Sequence, residues 1–214
     1  MQKQLKPMTL KQDIEFIRKH LDNYFIKIPK EYLKLEAKIY SNLSEEDGGV
    51  PAEMMLGEVD NEGYVCWSMI PSNITENDIN YLEKEYFIKL PKLFKAYLMG
   101  YCFLMGEFNN GSFGVTLPEI PFDNPLMNIE SNLFTWRLLI GAGYIPFGEY
   151  EGGYGPICFD ITQKNEDEDY AIVWFNHENL FNLDYDQWKD RSDLEQYSNK
   201  LYDSFRELII DLLT

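Results

Sequence analysis

The 214-residue chain carries 19 Lys and Arg against 36 Asp and Glu, a formal net charge of −17. A field of that sign repels nucleic acid and anionic membranes and draws in basic proteins. Hydrophobic residues make up 45% and aromatics 15% of the chain, which excludes a disordered polypeptide, and no apolar run approaches the ~20 residues that cross a bilayer.

The segment Met1 to Lys6 is not followed by the apolar core of a signal peptide, so a soluble, cytoplasmic protein is expected. The charge is uneven. Residues 1–44 hold nine Lys/Arg against five Asp/Glu, a balance of +4, whereas residues 45–214 hold ten against thirty-one, a balance of −21. The acidic body either receives a basic partner or is a well-hydrated surface that binds nothing basic. Cys66, Cys102 and Cys158 lie inside separate apolar runs. Their odd number and wide spacing suit neither a disulfide framework nor a zinc site, so buried free thiols are expected.

In chain order, Thr9 caps a predicted helix to Phe25, with Gln12 at the capping-box position and Ile14, Ile17, Leu21 and Phe25 at helical spacing. Pro29 permits a second helix carrying Tyr32, Leu33, Leu35, Ile39, Tyr40 and Leu43. Lys30, Lys34 and Lys38 form a basic stripe along it, which either binds an anion or packs near the acidic body of the same chain. The polar turn Ser44–Gly49 and Pro51 read as a linker. The expected organisation is therefore an N-terminal helical extension over residues 1–50 and one domain over residues 51–214.

A turn at Asp60–Gly63 precedes a predicted strand over Tyr64–Ile70. Thr75 with Asp78 starts a helix that buries Ile79, Leu82, Tyr86 and Phe87, and Leu90-Pro91 starts another that buries Leu93, Phe94, Tyr97 and Leu98. Tyr101–Met105 reads as a strand, or as a continuation of that helix. Asn109-Asn-Gly111 is a turn into a strand ending near Leu117, and the three prolines up to Pro125 demand an irregular, extended segment. Ser131 or Asn132 is expected to cap a helix through Leu139 whose Arg137 pairs with a nearby carboxylate. Three β-rich runs follow, over residues 143–148, 154–161 and 170–175, separated by a glycine-rich turn and the acidic tract Glu166–Asp169. They predict a meander of antiparallel strands, with Pro146 and Pro156 at edge or entry positions. Residues Asn179–Tyr185 read as a loop, and one last helix is expected from about Asp193 to Leu213.

Ile145-Pro-Phe-Gly148, then Cys158-Phe-Asp160, then a strand running into His177-Glu178 resembles the signature of the SUKH superfamily. Pro71–Glu83 followed by Lys89–Leu98 is similar to that family's opening helix pair, with Glu83 at its Leu-Glu position. The resemblance covers roughly Cys66 to Leu213. It implies an α+β fold, with a central and mostly antiparallel sheet of about five or six strands under packed helices. It also implies a protein-binding role of one of two kinds, the toxin immunity of bacterial relatives or the signalling of fungal cell-wall regulators.

Catalysis requires a nucleophile, a base or a metal in workable geometry, and the chain offers two histidines. His20 lies in the first helix. His177 is placed to approach Asp160, half of a triad, but no Gly-x-Ser-x-Gly elbow accompanies it, so a structural hydrogen bond is the favoured reading and a hydrolase the remote one. The Glu166–Asp169 tract lacks calcium-loop spacing, and Glu149–Gly155 lacks a phosphate-loop ending. No catalytic, metal or cofactor residue is therefore assigned.

What remains is recognition. Tyr150, Tyr154, Trp174, Tyr185 and Trp188 alternate with Glu149, Glu151, Asp184 and Asp186, and aromatic anchors in an acidic field suit a binder of a basic protein. Trp174 is expected in the core. The expected partner-binding residues are Glu149, Tyr150, Glu151, Tyr154, Glu166, Asp167, Glu168, Asp169 and Asp184. The expected partner is a basic protein, a secreted toxin domain with a nuclease as the favoured kind, with neither nucleic acid nor membrane, and the chain a monomer or weak dimer.

Overall fold

The computed structural model describes residues 9–38, 49–164 and 169–214. Helix α1 (Leu10–Phe25) opens with the predicted reciprocal box. The Gln12 amide donates to the Thr9 hydroxyl, and the Thr9 amide donates to the Gln12 side chain at 2.8 Å. Ile17, Leu21 and Phe25 form its buried stripe.

Pro29 does not begin a second helix. A single 3-10 turn (Lys30–Leu33) leads into β1 (Lys34–Glu36), which joins β2 (Met55–Leu56) and β3 (Tyr64–Trp67) in a three-stranded sheet with β3 central. Ladder bonds to β3 outweigh the modest helix preference of this Lys-, Leu- and Glu-containing segment. Ile39, Tyr40, Leu43 and nearly all of the predicted linker lie outside the described residues. Lys34 pairs with Asp60 and Lys38 with Asp123, so these two members of the basic stripe face carboxylates of their own chain. Cys66 is half-buried rather than buried, and Cys66, Cys102 and Cys158 are all free thiols.

The strand expected to reach Ile70 divides after Trp67, and β4 (Ile70–Pro71) pairs elsewhere. Helix α2 (Glu76–Glu85) carries the predicted Thr75–Asp78 box. Its end corrects one expectation, because Phe87 is not buried but 93% exposed. The Ile88 amide reaches back to the Glu83 carbonyl at 3.0 Å, closing the helix with Phe87 at φ +55°, and that reversal swings the ring outward. Pro91 precedes α3 (Lys92–Leu98), which buries Leu93, Phe94, Tyr97 and Leu98. Strand β5 (Tyr101–Cys102) pairs with β4.

A hairpin of β6 (Glu107–Asn109) and β7 (Gly114–Thr116) turns at the predicted glycine, Gly111. The next helix begins earlier than expected. Helix α4 (Met127–Thr135) starts without a side-chain cap, and α5 (Arg137–Gly141) follows a break at Trp136. Asn132 sits within α4 and donates to the Asn128 carbonyl one turn back, so its side chain marks no helix start. Arg137 donates to the Phe134 carbonyl and lies over the Phe134 ring instead of meeting a carboxylate.

The meander is β8 (Tyr144–Tyr150), β9 (Gly155–Lys164) and β10 (Tyr170–Phe175). Where a loop is expected, Asn176 caps α6 (His177–Phe181). The expected last helix is interrupted. Helix α7 (Arg191–Glu195) gives way to β11 (Ser198–Tyr202), and only then does α8 (Phe205–Leu213) run to the end. Strand β11 binds the free side of β10, opposing Ser198 to Phe175 and Lys200 to Val173. Ser204 and Glu207 then restart the helix, since Ser204 accepts from the Glu207 amide and Glu207 from the Asp203 amide.

The resulting sheet has six antiparallel strands in the order β11-β10-β9-β8-β7-β6, and the fold is α+β as expected. Helices α1, α3 and α8 pack together, and α1 shares one core with the rest of the chain. At its centre Phe147 of β8 stacks on Phe159 of β9 with ring centres 4.0 Å apart, while Phe94 of α3 meets Phe205 of α8 at 5.2 Å.

Candidate functional site

The residues that carry the family-like pattern are structural. Phe147 and Phe159 are the stacked core pair just described. Gly148 is needed where β7 crosses, because a Cβ there would lie 2.5 Å from the Thr116 carbonyl oxygen. Glu83 is buried and accepts from Lys89 (2.7 Å), Lys95 (2.6 Å) and the Leu90 amide (2.8 Å). Burial alone raises its pKa, but those three donors outweigh it and hold the carboxyl below its ordinary range. Asp160 behaves alike. Its burial is overcome by Arg191 at 2.7 Å and by the Thr162 hydroxyl and amide, and its pKa is lowered.

Asp160 is thus committed to Arg191, and the expected pairing with His177 does not form. His177 Nδ1 instead lies 2.9 Å from the Gly153 carbonyl oxygen, and its amide donates to the Tyr154 carbonyl. Those bonds fasten α6 to the β8–β9 turn. The constellation on which a hydrolase reading rests is therefore absent.

Among the described residues, the predicted binding set does not lie on one surface. Strand β9 is ten residues long, so its ends lie about 30 Å apart. Glu149, Tyr150, Glu151 and Tyr154 surround the turn at its start, while the acidic tract follows its far end. Glu166, Asp167 and Glu168 lie outside the described residues. Asp169 is only 4% exposed, so it is not a surface carboxylate. It accepts from the amides of Tyr170 and Arg206, the latter in the first turn of α8, and burial raises its pKa to about 6 against the pull of those bonds.

At the turn end the geometry is different. Tyr154 is 58% exposed, and Glu151 beside it stands in the open at φ +44°. Tyr150 is half-buried and stacks on Trp174 at 4.3 Å, so it supports the turn from beneath. Trp174 itself is half-buried rather than fully enclosed. Fastened to the turn through His177, α6 presents Glu178 and Phe181; further along the chain Asp184, Tyr185 (62% exposed, with Lys189 Nζ 3.6 Å from its ring centre) and Asp186 are exposed. Asp184 also shapes this segment by accepting from the amides of Asp186 and Gln187. Trp188 stacks on Trp136 and anchors it to α5. Sequence reasoning missed Glu178 and Phe181 because residues 179–185 read as loop, although Asn176 two residues before Glu178 is an available capping signal.

A sequence profile of the SMI1 / KNR4 family (SUKH-1) matches residues 73–211, from the approach to α2 into α8. The chain belongs to that family. No curated protein matches the chain significantly. Membership is consistent with a protein-binding role, immune or regulatory. The matched region contains every described residue of the turn end and excludes α1. No helix among the described residues is long and apolar enough to cross a membrane.

Proposed function

We propose that this chain is a non-enzymatic, cytoplasmic binding protein that neutralises a cognate basic toxin domain, a nuclease being the best-matched kind, by occluding it. The observation that carries the reading is the turn end of the sheet. There Tyr154 stands exposed beside Glu151, and α6, fastened to the same turn through His177, presents the exposed Glu178 and Phe181, with exposed Asp184, Tyr185 and Asp186 following in the chain. Aromatic rings supply contact area at low entropic cost, while the carboxylates steer a cationic surface and set register. A nucleic-acid cleft is such a surface, because it is built to neutralise phosphates. Glu149, Tyr150, Glu151, Tyr154 and Asp184 remain in the proposed interface, whereas Asp169 leaves it because it is buried.

The test is capture from the native source using the wild type and the double charge reversal Glu151→Lys, Asp184→Lys. Retention of a basic protein by the wild type and its loss by the variant is the expected result. Equal retention by both, or capture of an acidic partner alone, would contradict the reading. A regulatory role like that of the fungal relatives makes a separate expectation: the captured protein would be a signalling component whose activity persists in the complex, whereas a toxin's activity ceases.

A further inference from the structure

We propose that the face carrying Phe87 is a self-association surface, on which two copies pack about a twofold axis with each Phe87 seated in the other's groove. Phe87 occupies the left-handed position that closes α2, a site where glycine or asparagine is usual, and it projects its ring almost wholly into solvent. The left-handed conformation closes α2, but a glycine would serve that purpose, and the ring itself is 93% exposed. Beside it lies an open groove of about 700 Å³ whose walls include Ile140, Ile145, Ile161 and Tyr170. Projection and groove thus belong to one contiguous patch. That is the arrangement an isologous contact requires, because the same surface must serve as both donor and receiver.

The charges lining the groove let a second copy of this acidic chain approach. The chain carries −17 overall, yet the charged groups lining the groove are Lys84, Lys89 and Glu83, and Glu83 is already committed to Lys89, Lys95 and the Leu90 amide. The groove lining therefore adds little like-charge repulsion between copies. The apolar area is modest: an aromatic side chain buries roughly 150–250 Å², and two of them with the isoleucines fall short of the ~1,200 Å² low end of stable interfaces. The association is accordingly weak and concentration-dependent. Ile161 and Tyr170 place the groove toward the far end of β9, away from Tyr154, so a dimer leaves both acidic binding ends outward.

Sedimentation equilibrium of the full chain, from about 1 µM to about 1 mM, tests this at low and high salt. The wild type should show a monomer–dimer equilibrium that tightens as salt screens the repulsion between the two acidic bodies. Phe87→Gly, which relieves the backbone and keeps the fold, should weaken association at least tenfold, and Ile161→Asp should do the same from the groove side. A wild type that stays monomeric throughout, or a Phe87→Gly protein that dimerises as tightly, would overturn the proposal. The result is independent of toxin binding, which is read by a different partner and weakens with salt.

Discussion

Three buried carboxylates illustrate how differently one residue type behaves here. Glu83 and Asp160 have lowered pKa values, so each adds stability that is complete above its unfolded-state pKa near 4 and is lost as pH falls through the folded value. Asp169 has the opposite sign. Its pKa is raised from 3.8 to about 6, so the native state is favoured while the group is protonated and loses stability as pH rises between those values. Asp169→Asn keeps an acceptor for the Arg206 amide but cannot ionise. Relative to wild type, this variant should gain up to about 3 kcal/mol as pH goes from about 4 to about 7, measured by urea unfolding at each pH. Glu83→Ala leaves Lys95 and the Leu90 amide without their acceptor and should cost about 2–4 kcal/mol at neutral pH. Phe87→Gly moves in the other direction. Relief of a side chain at φ +55° should stabilise the chain by about 1 kcal/mol, visible as a higher unfolding midpoint.

Among elements, the meander was the most legible because glycine and acidic turns bound each β-branched run, and the capping boxes at Thr9 and Thr75 marked two helix starts directly. Strand β11 was hidden by a coincidence of period. Leu194, Tyr197, Leu201, Phe205 and Leu208 continue a helical spacing across it, yet the open edge of β10 offers ladder bonds that local periodicity does not register. The Ser204–Glu207 capping pair was the signal that one helix ends and another begins there. Strand β1 was lost for the same reason, since its pairing with β3 comes from a distant part of the chain. Gly148 was singled out in the sequence only through the family resemblance of Ile-Pro-Phe-Gly, because the close approach of β7 is a tertiary contact. Gly148→Ala drives a methyl against the Thr116 carbonyl and should cost more than about 2 kcal/mol, with loss of amide protection in β7 and β8.

For the molecule as a whole, the scaffold and the proposed binding surface are separate in kind. Glu83, Phe147, Gly148, Phe159 and Asp160 hold the sheet and helices together, whereas the exposed aromatics and acids sit on a turn, on α6 and on the segment after it, where substitutions leave the core untouched. The sequence revealed the sign of the surface field but not its layout. Composition does not say that Asp169 turns inward. Charge and aromatic content together made protein recognition the expected role, and the fold leaves Tyr154, Phe181 and Tyr185 exposed.

The most direct test of electrostatic occlusion is a calorimetric titration of the captured partner into the full chain from about 0.05 M to about 0.5 M NaCl, a range over which exposed charges pass from weakly to strongly screened. A one-to-one complex whose affinity falls at least tenfold across that range, and whose salt dependence flattens in the Glu151→Lys, Asp184→Lys variant, is the predicted result. An affinity that ignores both salt and charge reversal would contradict it.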